Sequence, residues 1–148
     1  MTRKRKGRPG RTKEELLPMQ APFVRNIVLQ THLSIVNIRN GYGMRKSMVY
    51  LQRILYMTFF LIEPDREECD DAFFVAVESI LDDAIQREDW RLSEDGLQAI
   101  EQMVTRFDNA IGMLPLHRVE AAACKLQKLV GKPQPSPLNG SRLSETSI

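Results

Sequence analysis

Hydrophobic residues recur along the chain at intervals of three and four positions, and no stretch shows the alternation of a convincing strand. This repeat places the apolar side chains on one face of a helix. Proline and glycine residues lie at the borders of these stretches, where they suit a first turn or end a helix. The predicted helices cover about residues 22–40, 44–63, 66–89, 94–114 and 116–130. The predicted fold class is therefore all-α, a compact bundle of about five helices with short connections.

The second predicted helix should lie at the centre of this bundle, because it is apolar nearly all round. Its main stripe and the heptad-like stripe of the fourth helix present more apolar surface than five short helices are expected to cover. We therefore expect a homo-oligomer or a complex with a partner protein. The two stripes consist of Met48, Leu51, Leu55, Phe59 and Ile62, and of Leu97, Ile100, Val104, Phe107, Ile111 and Leu114. The core faces predicted for the first and third helices are Phe23, Ile27, Val28, Ile35 and Ile38, and Phe73, Val77, Ile80, Leu81 and Ala84.

Charge and composition divide the chain into three parts. Residues 1–13 carry seven cations and no anion, whereas the other 135 residues hold 14 basic and 19 acidic side chains. Residues 132–148 are rich in proline and serine, a composition typical of disorder. We predict a disordered basic arm at residues 1–15, one helical domain at residues 16–131 and a disordered tail at residues 132–148.

Neither the cysteines nor the apolar runs point to an extracellular or membrane protein. Cys69 and Cys124 are isolated and lack the spacing of a disulfide scaffold or a zinc site. The longest apolar run, residues 54–62, is about half of the ~20 residues that a membrane span requires. We therefore expect a soluble intracellular chain, cytoplasmic or nucleoid-associated, with no membrane partner.

Catalytic and metal-binding patterns are missing from the sequence. His32 and His117 belong to no HExxH or paired ExxH motif, and the acidic group EECDD lacks the alternating ligands and central glycine of a calcium loop. Neither a GxxxxGK[ST] loop nor a GxSxG elbow occurs. We expect no enzyme activity, no cofactor and no bound metal.

The basic start, RKRKGRPGRTK, offers the clearest functional pattern. Its Gly7-Arg8-Pro9 core with flanking Lys and Arg resembles the AT-hook, a short motif that lies extended in the minor groove of A·T-rich DNA. The resemblance implies that Arg8 enters the groove, where the negative potential attracts arginine. The neighbouring cations would neutralise phosphates. The predicted DNA-binding residues of this arm are Arg3, Lys4, Arg5, Lys6, Gly7, Arg8, Pro9, Arg11 and Lys13.

The arm departs from the AT-hook at two positions. Lys6 replaces the usual arginine before the glycine, and Gly10 separates Pro9 from Arg11. Three interpretations of the arm stay open: binding that prefers A·T-rich minor grooves, general attraction to phosphate, and a solubilising or targeting role.

A second cationic group surrounds the predicted turn GYG. Between Leu16 and Ile62 the chain has five cations and no acid, whereas residues 66–89 have nine acids and two cations. Of the five, Arg39, Arg45 and Lys46 lie next to the turn, where the amides at a helix start and three cations would suit a phosphate. The alternative is a solvated helix corner. Tyr42 either packs against the bundle or stacks on a base.

The leading hypothesis is a small DNA-binding protein, regulatory or architectural, whose arm holds DNA while the bundle dimerises or contacts partners. The alternative is a protein-interaction module, such as an antitoxin-like, adaptor or assembly protein, in which the basic arm is auxiliary. A small DNA-recognising subunit for phage packaging is a variant of the first hypothesis, by analogy at the level of the fold.

Overall fold

The computed structural model describes residues 12–62 and 71–131, and these residues form six helices. The helices are α1 (Lys13–Leu16), α2 (Ala21–Arg39), α3 (Arg45–Ile62), α4 (Asp71–Arg87), α5 (Glu94–Met113) and α6 (Leu116–Gly131). Within these ranges there is no strand, only an isolated bridge between Pro18 and Pro115. The all-α prediction is confirmed, and α2 to α6 correspond to the five predicted helices.

The helix α1 was not predicted. Thr12 caps it, because its Oγ1 accepts a hydrogen bond from the backbone N–H of Glu15 at 3.3 Å. The N–H of Leu116 donates to the carbonyl oxygen of Leu17 at 2.8 Å, which ties this segment to the start of α6. Residues 13–15, which the sequence prediction placed in the disordered arm, therefore belong to a helix. Residues 1–11 and the predicted disordered tail, residues 132–148, lie outside the described residues.

Helix α3 is the centre of the bundle, as its apolar surface predicted. It contacts α2, α4, α5 and α6. Met48, Leu51 and Leu55 are completely buried. Ser93 caps α5, since its Oγ accepts a hydrogen bond from the N–H of Gly96 at 3.1 Å.

Two predicted core positions differ from the structure. Phe23 is 61% exposed, and on α4 the buried ring is Phe74 rather than Phe73. The Phe74 ring meets Phe59 edge-on with 5.8 Å between centroids, whereas the guanidinium of Arg106 covers the Phe73 ring at 4.1 Å. Val77, Leu81 and Ala84 are buried as predicted, so the buried face of α4 keeps most of the predicted face and also includes Phe74.

An acidic side chain also lies in the core. Glu78, one of the nine acids of residues 66–89, is only 2% exposed. Burial raises the pKa of the neighbouring Asp82, and the negative charge of Glu78 raises it further. Gln52 on α3 donates a hydrogen bond to Asp82 Oδ1, which lowers that pKa in part. The contact between α3 and α4 therefore includes a polar cluster.

Candidate nucleic-acid interface

The turn between α2 and α3 has the geometry that ends helices at glycine. Gly41 adopts a left-handed conformation with φ of 82°. Its N–H donates to the carbonyl oxygen of Ile38 at 3.2 Å, and the N–H of Tyr42 donates to that of Asn37 at 2.8 Å. This pair of hydrogen bonds is the Schellman motif, which satisfies carbonyls at a helix end. The predicted role of Gly41 in ending the first predicted helix is confirmed.

A second glycine lets the turn approach the connection between α4 and α5. A methyl group placed on Gly43 would lie 3.2 Å from Ile38 Cγ1, from Trp90 Cβ and from the carbonyl oxygen of Trp90. Only a residue without a side chain fits this contact without displacement. The turn, and with it the start of α3, is thereby held against the rest of the bundle.

A groove of about 810 Å³ lies between α2 and α3. We call it the α2–α3 groove. Its α3 wall includes Lys46, Val49, Tyr50 and Arg53, whose spacing of three, four and seven positions places them on one helix face. Among the described residues no acidic side chain lines the groove, because both of its walls come from residues 16–62, which contain no acid.

The three cations predicted to form a phosphate site at this turn do not act as one cluster. Arg39 points toward α5, where it pairs with Glu101 and lies 3.6 Å from Glu94 Oε1. The hydrogen bond to Glu101 and the charge of that carboxylate raise the pKa of Arg39. Arg45 lines the groove, but its Nη1 also lies 3.8 Å from Glu88 Oε1.

Lys46 and Arg53 are the groove cations without such partners. Within the described ranges neither side chain forms an ion pair. Arg53 was not among the predicted site residues, although its position seven residues after Lys46 was visible in the sequence. Together they place two cations on the α3 wall that pair with no carboxylate of the described residues.

The exposure of Tyr42 bears on whether its ring packs against the bundle or is available to stack on a base. Its side chain is 73% exposed at the mouth of the groove, so the ring does not pack inside the bundle. Tyr50 is only partly exposed, and its hydroxyl oxygen lies 3.3 Å from Thr31 Oγ1. Tyr42 is therefore the aromatic ring of the groove that is free to stack on a ligand.

The predicted arm joins the bundle before the first turn of α2, at the end of this helix that lies away from the groove. Lys13 is exposed in α1, and α1 precedes the first turn of α2. The α2–α3 groove lies toward the last turns of α2, and a helix of 19 residues is about 28 Å long. The other predicted arm residues, including the AT-hook-like Gly7, Arg8 and Pro9, lie outside the described residues.

Other parts of the described chain offer less for chemistry. His32 is occupied by a contact of 2.8 Å between its Nε2 and Asp108 Oδ2. Among the described residues, no group of three or more His, Cys, Asp or Glu side chains is placed to hold a metal ion. None of the described helices combines the length and the apolar character that crossing a membrane would require.

Comparison with known proteins gives no relative: no family model, no curated protein and no solved structure matches this chain.

Proposed function

We propose that the protein binds DNA through two cationic elements, the basic arm and the α3 wall of the α2–α3 groove. The observation that carries this proposal is the groove itself, in which Lys46 and Arg53 face solvent with no acidic residue in the lining. A regulatory or architectural role fits a small helical protein of this kind.

The groove is favourable to phosphate although the body of the protein is acidic. The acids are concentrated on other elements, and a local positive surface attracts an anion even where the net charge opposes it. The start of α3 points its amides toward the same region, and no side-chain oxygen is available from Met44, the residue before this helix. The exposed ring of Tyr42 adds a surface for stacking.

The arm supplies the larger share of the affinity in this proposal. It carries six cations in residues 1–11, before the cap of α1. Eleven extended residues span roughly 35–40 Å, enough to follow a groove of the duplex beyond the bundle. Its resemblance to the AT-hook supports a preference for A·T-rich DNA, whose narrow minor groove attracts arginine.

Fluorescence anisotropy with two duplexes of equal length, one A·T-rich and one G·C-rich, tests the proposal over a salt series. We expect the A·T-rich duplex to bind more tightly, and the affinity to fall roughly a thousandfold between 50 and 200 mM salt if the six arm cations contact phosphate. Deletion of residues 2–11 keeps Thr12 and α1 and should remove most of that salt dependence.

The groove is tested by the double variant Lys46→Gln/Arg53→Gln. Loss of two phosphate contacts should reduce the slope of log affinity against log salt by about 2. The matched control is Arg91→Gln/Lys128→Gln, which removes the same charge from exposed positions outside the groove. Equal losses in the two double variants would reject the groove as a site, and absence of binding at 50 mM salt would reject the proposed function.

A further inference from the structure

The solvent-facing side of α2 has an apolar centre. Leu29, Leu33 and Val36 are 57%, 49% and 47% exposed. Two positions along a helix correspond to a rotation of about 200°, so Leu29 and Leu33 lie almost opposite Thr31 and Ile35, which are buried in the core. We call these three exposed residues the α2 stripe. Helix α2 therefore has one apolar face toward the bundle and a second one toward solvent.

The spacing of the α2 stripe is that of a helix seam. Asn26, Leu29, Leu33, Val36 and Asn40 follow one another at intervals of three, four, three and four positions. This heptad-like repeat keeps side chains in line along the contact between two packed helices. The polar asparagines stand at its ends, where a seam of this length meets solvent.

The part of α2 that carries the stripe is almost uncharged. Between Arg25 and Arg39 the one ionisable side chain of α2 is His32, which contacts Asp108 across to α5. The cations that share the groove with Leu33 belong to α3, on the other wall. Depletion of charge is typical of the centre of a protein interface. The residues of the α2 stripe themselves are therefore complementary to a neutral apolar surface like their own.

We propose that the α2 stripe packs against the α2 stripe of a second copy of this chain, antiparallel, about a twofold axis near Leu33. A twofold interface brings the same surface of both copies together, and two copies of a neutral surface do not repel each other. A parallel arrangement would place Arg25 beside Arg25 of the second copy and Arg39 beside Arg39. The antiparallel arrangement places Arg25 near Asn40 of the second copy and avoids both repulsions.

The area of the α2 stripe limits the expected affinity of the dimer. Stable interfaces usually bury about 800 Å² per partner, more than three side chains provide. Met44, 62% exposed, lines the groove beside Leu33 and extends the apolar surface. Lys46 and Arg53 lie on the opposite wall and remain exposed. The dimer should therefore be reversible, with a dissociation constant on the order of micromolar.

Sedimentation equilibrium of the full chain, from about 1 to 100 µM, tests the proposal. The average mass should rise from 17.0 kDa toward about twice that value. Leu33→Glu should raise the dissociation constant at least tenfold, because it places two carboxylates at the axis. Met113→Glu is the matched control, since Met113 is 77% exposed on α5 outside the stripe, and this variant should dimerise like the original chain. Circular dichroism of each variant checks that the helices are retained.

Cross-linking gives a second measurement that does not depend on the Glu variants. In a background with Cys69→Ser and Cys124→Ser, mild oxidation of Leu33→Cys should produce a covalent dimer, whereas Met113→Cys should not. A mass of 17.0 kDa throughout the concentration series would overturn the proposal, as would association that Leu33→Glu leaves unchanged. No nucleic acid is present in either measurement, so this proposal and the proposed function fail independently.

Discussion

Replacement of Gly43 by alanine should weaken the attachment of the α2–α3 turn to the bundle. The added methyl group would lie 3.2 Å from two carbon atoms and from a backbone oxygen of Trp90, closer than ordinary van der Waals contact. Overpacking of this kind costs about 1–3 kcal/mol. Gly43 does not have a positive φ, so alanine also lowers the entropy of the unfolded chain, which stabilises by about 0.4–1 kcal/mol. The steric cost is larger, and we expect a net loss of about 0.5–2 kcal/mol.

Urea unfolding followed by circular dichroism measures this loss as a lower midpoint with an unchanged slope. Gly112→Ala is the matched control. Gly112 lies within α5, and no heavy atom beyond the local helix backbone lies within 4 Å of the position of a methyl group there. Alanine at that position should stabilise the protein by about 0.5–1 kcal/mol, because it favours the helix without any clash. If Gly43→Ala is as stable as the original chain or more stable, the turn moves away from Trp90 at little cost and the reasoning is refuted.

Two further predictions concern the core and the polar cluster of α4. Phe74→Ala should cost about 3–5 kcal/mol in urea unfolding, because Phe74 is buried, whereas Phe23→Ala should change stability by no more than about 0.5 kcal/mol, because Phe23 is exposed. Equal costs would contradict the burial of Phe74 and the exposure of Phe23. Because the pKa of Asp82 is raised in the folded state, the folded protein binds this proton more strongly than the unfolded chain does. The contribution of Asp82 to the free energy of unfolding therefore falls as pH rises from the ordinary pKa of 3.8 through the folded pKa. The stability of Asp82→Asn relative to the original chain should grow over that interval, and a difference independent of pH would contradict the assignment.

The long helices were predictable because each of them repeats its apolar pattern over many residues. The central place of α3 follows from the same information, since a helix that is apolar nearly all round is expected to pack against neighbours on several sides. The four residues of α1 are too few to show any period, and this segment is tied to the start of α6, about one hundred positions further along the chain. The spacing of residues in the sequence does not predict such a contact.

The differences on α4 have another cause. Both Phe73 and Phe74 are apolar, so the pattern alone does not choose between them, and a carboxylate such as that of Glu78 is rarely buried. The structure buries Glu78 near Gln52 and Asp82, a polar environment formed by two helices together. The ion pair between Arg39 and Glu101 could not be predicted either, because Glu101 lies 62 positions further along the chain. Periodicity describes one helix at a time, whereas these pairings arise only when helices meet.

The two proposals gain a geometric connection if the dimer is antiparallel. Within one copy the arm joins the bundle before the first turn of α2, and the groove is lined by residues 30–37 of that helix. These residues lie about 14–24 Å along the axis from Ala21, which corresponds to about four to seven base pairs of duplex. An antiparallel pair reverses one copy against the other, so each arm begins near the groove of the second copy. Arm cations of one chain and Lys46 and Arg53 of the other would then face the same stretch of DNA. Two such clusters in one particle would engage a duplex with a higher effective concentration than either cluster alone.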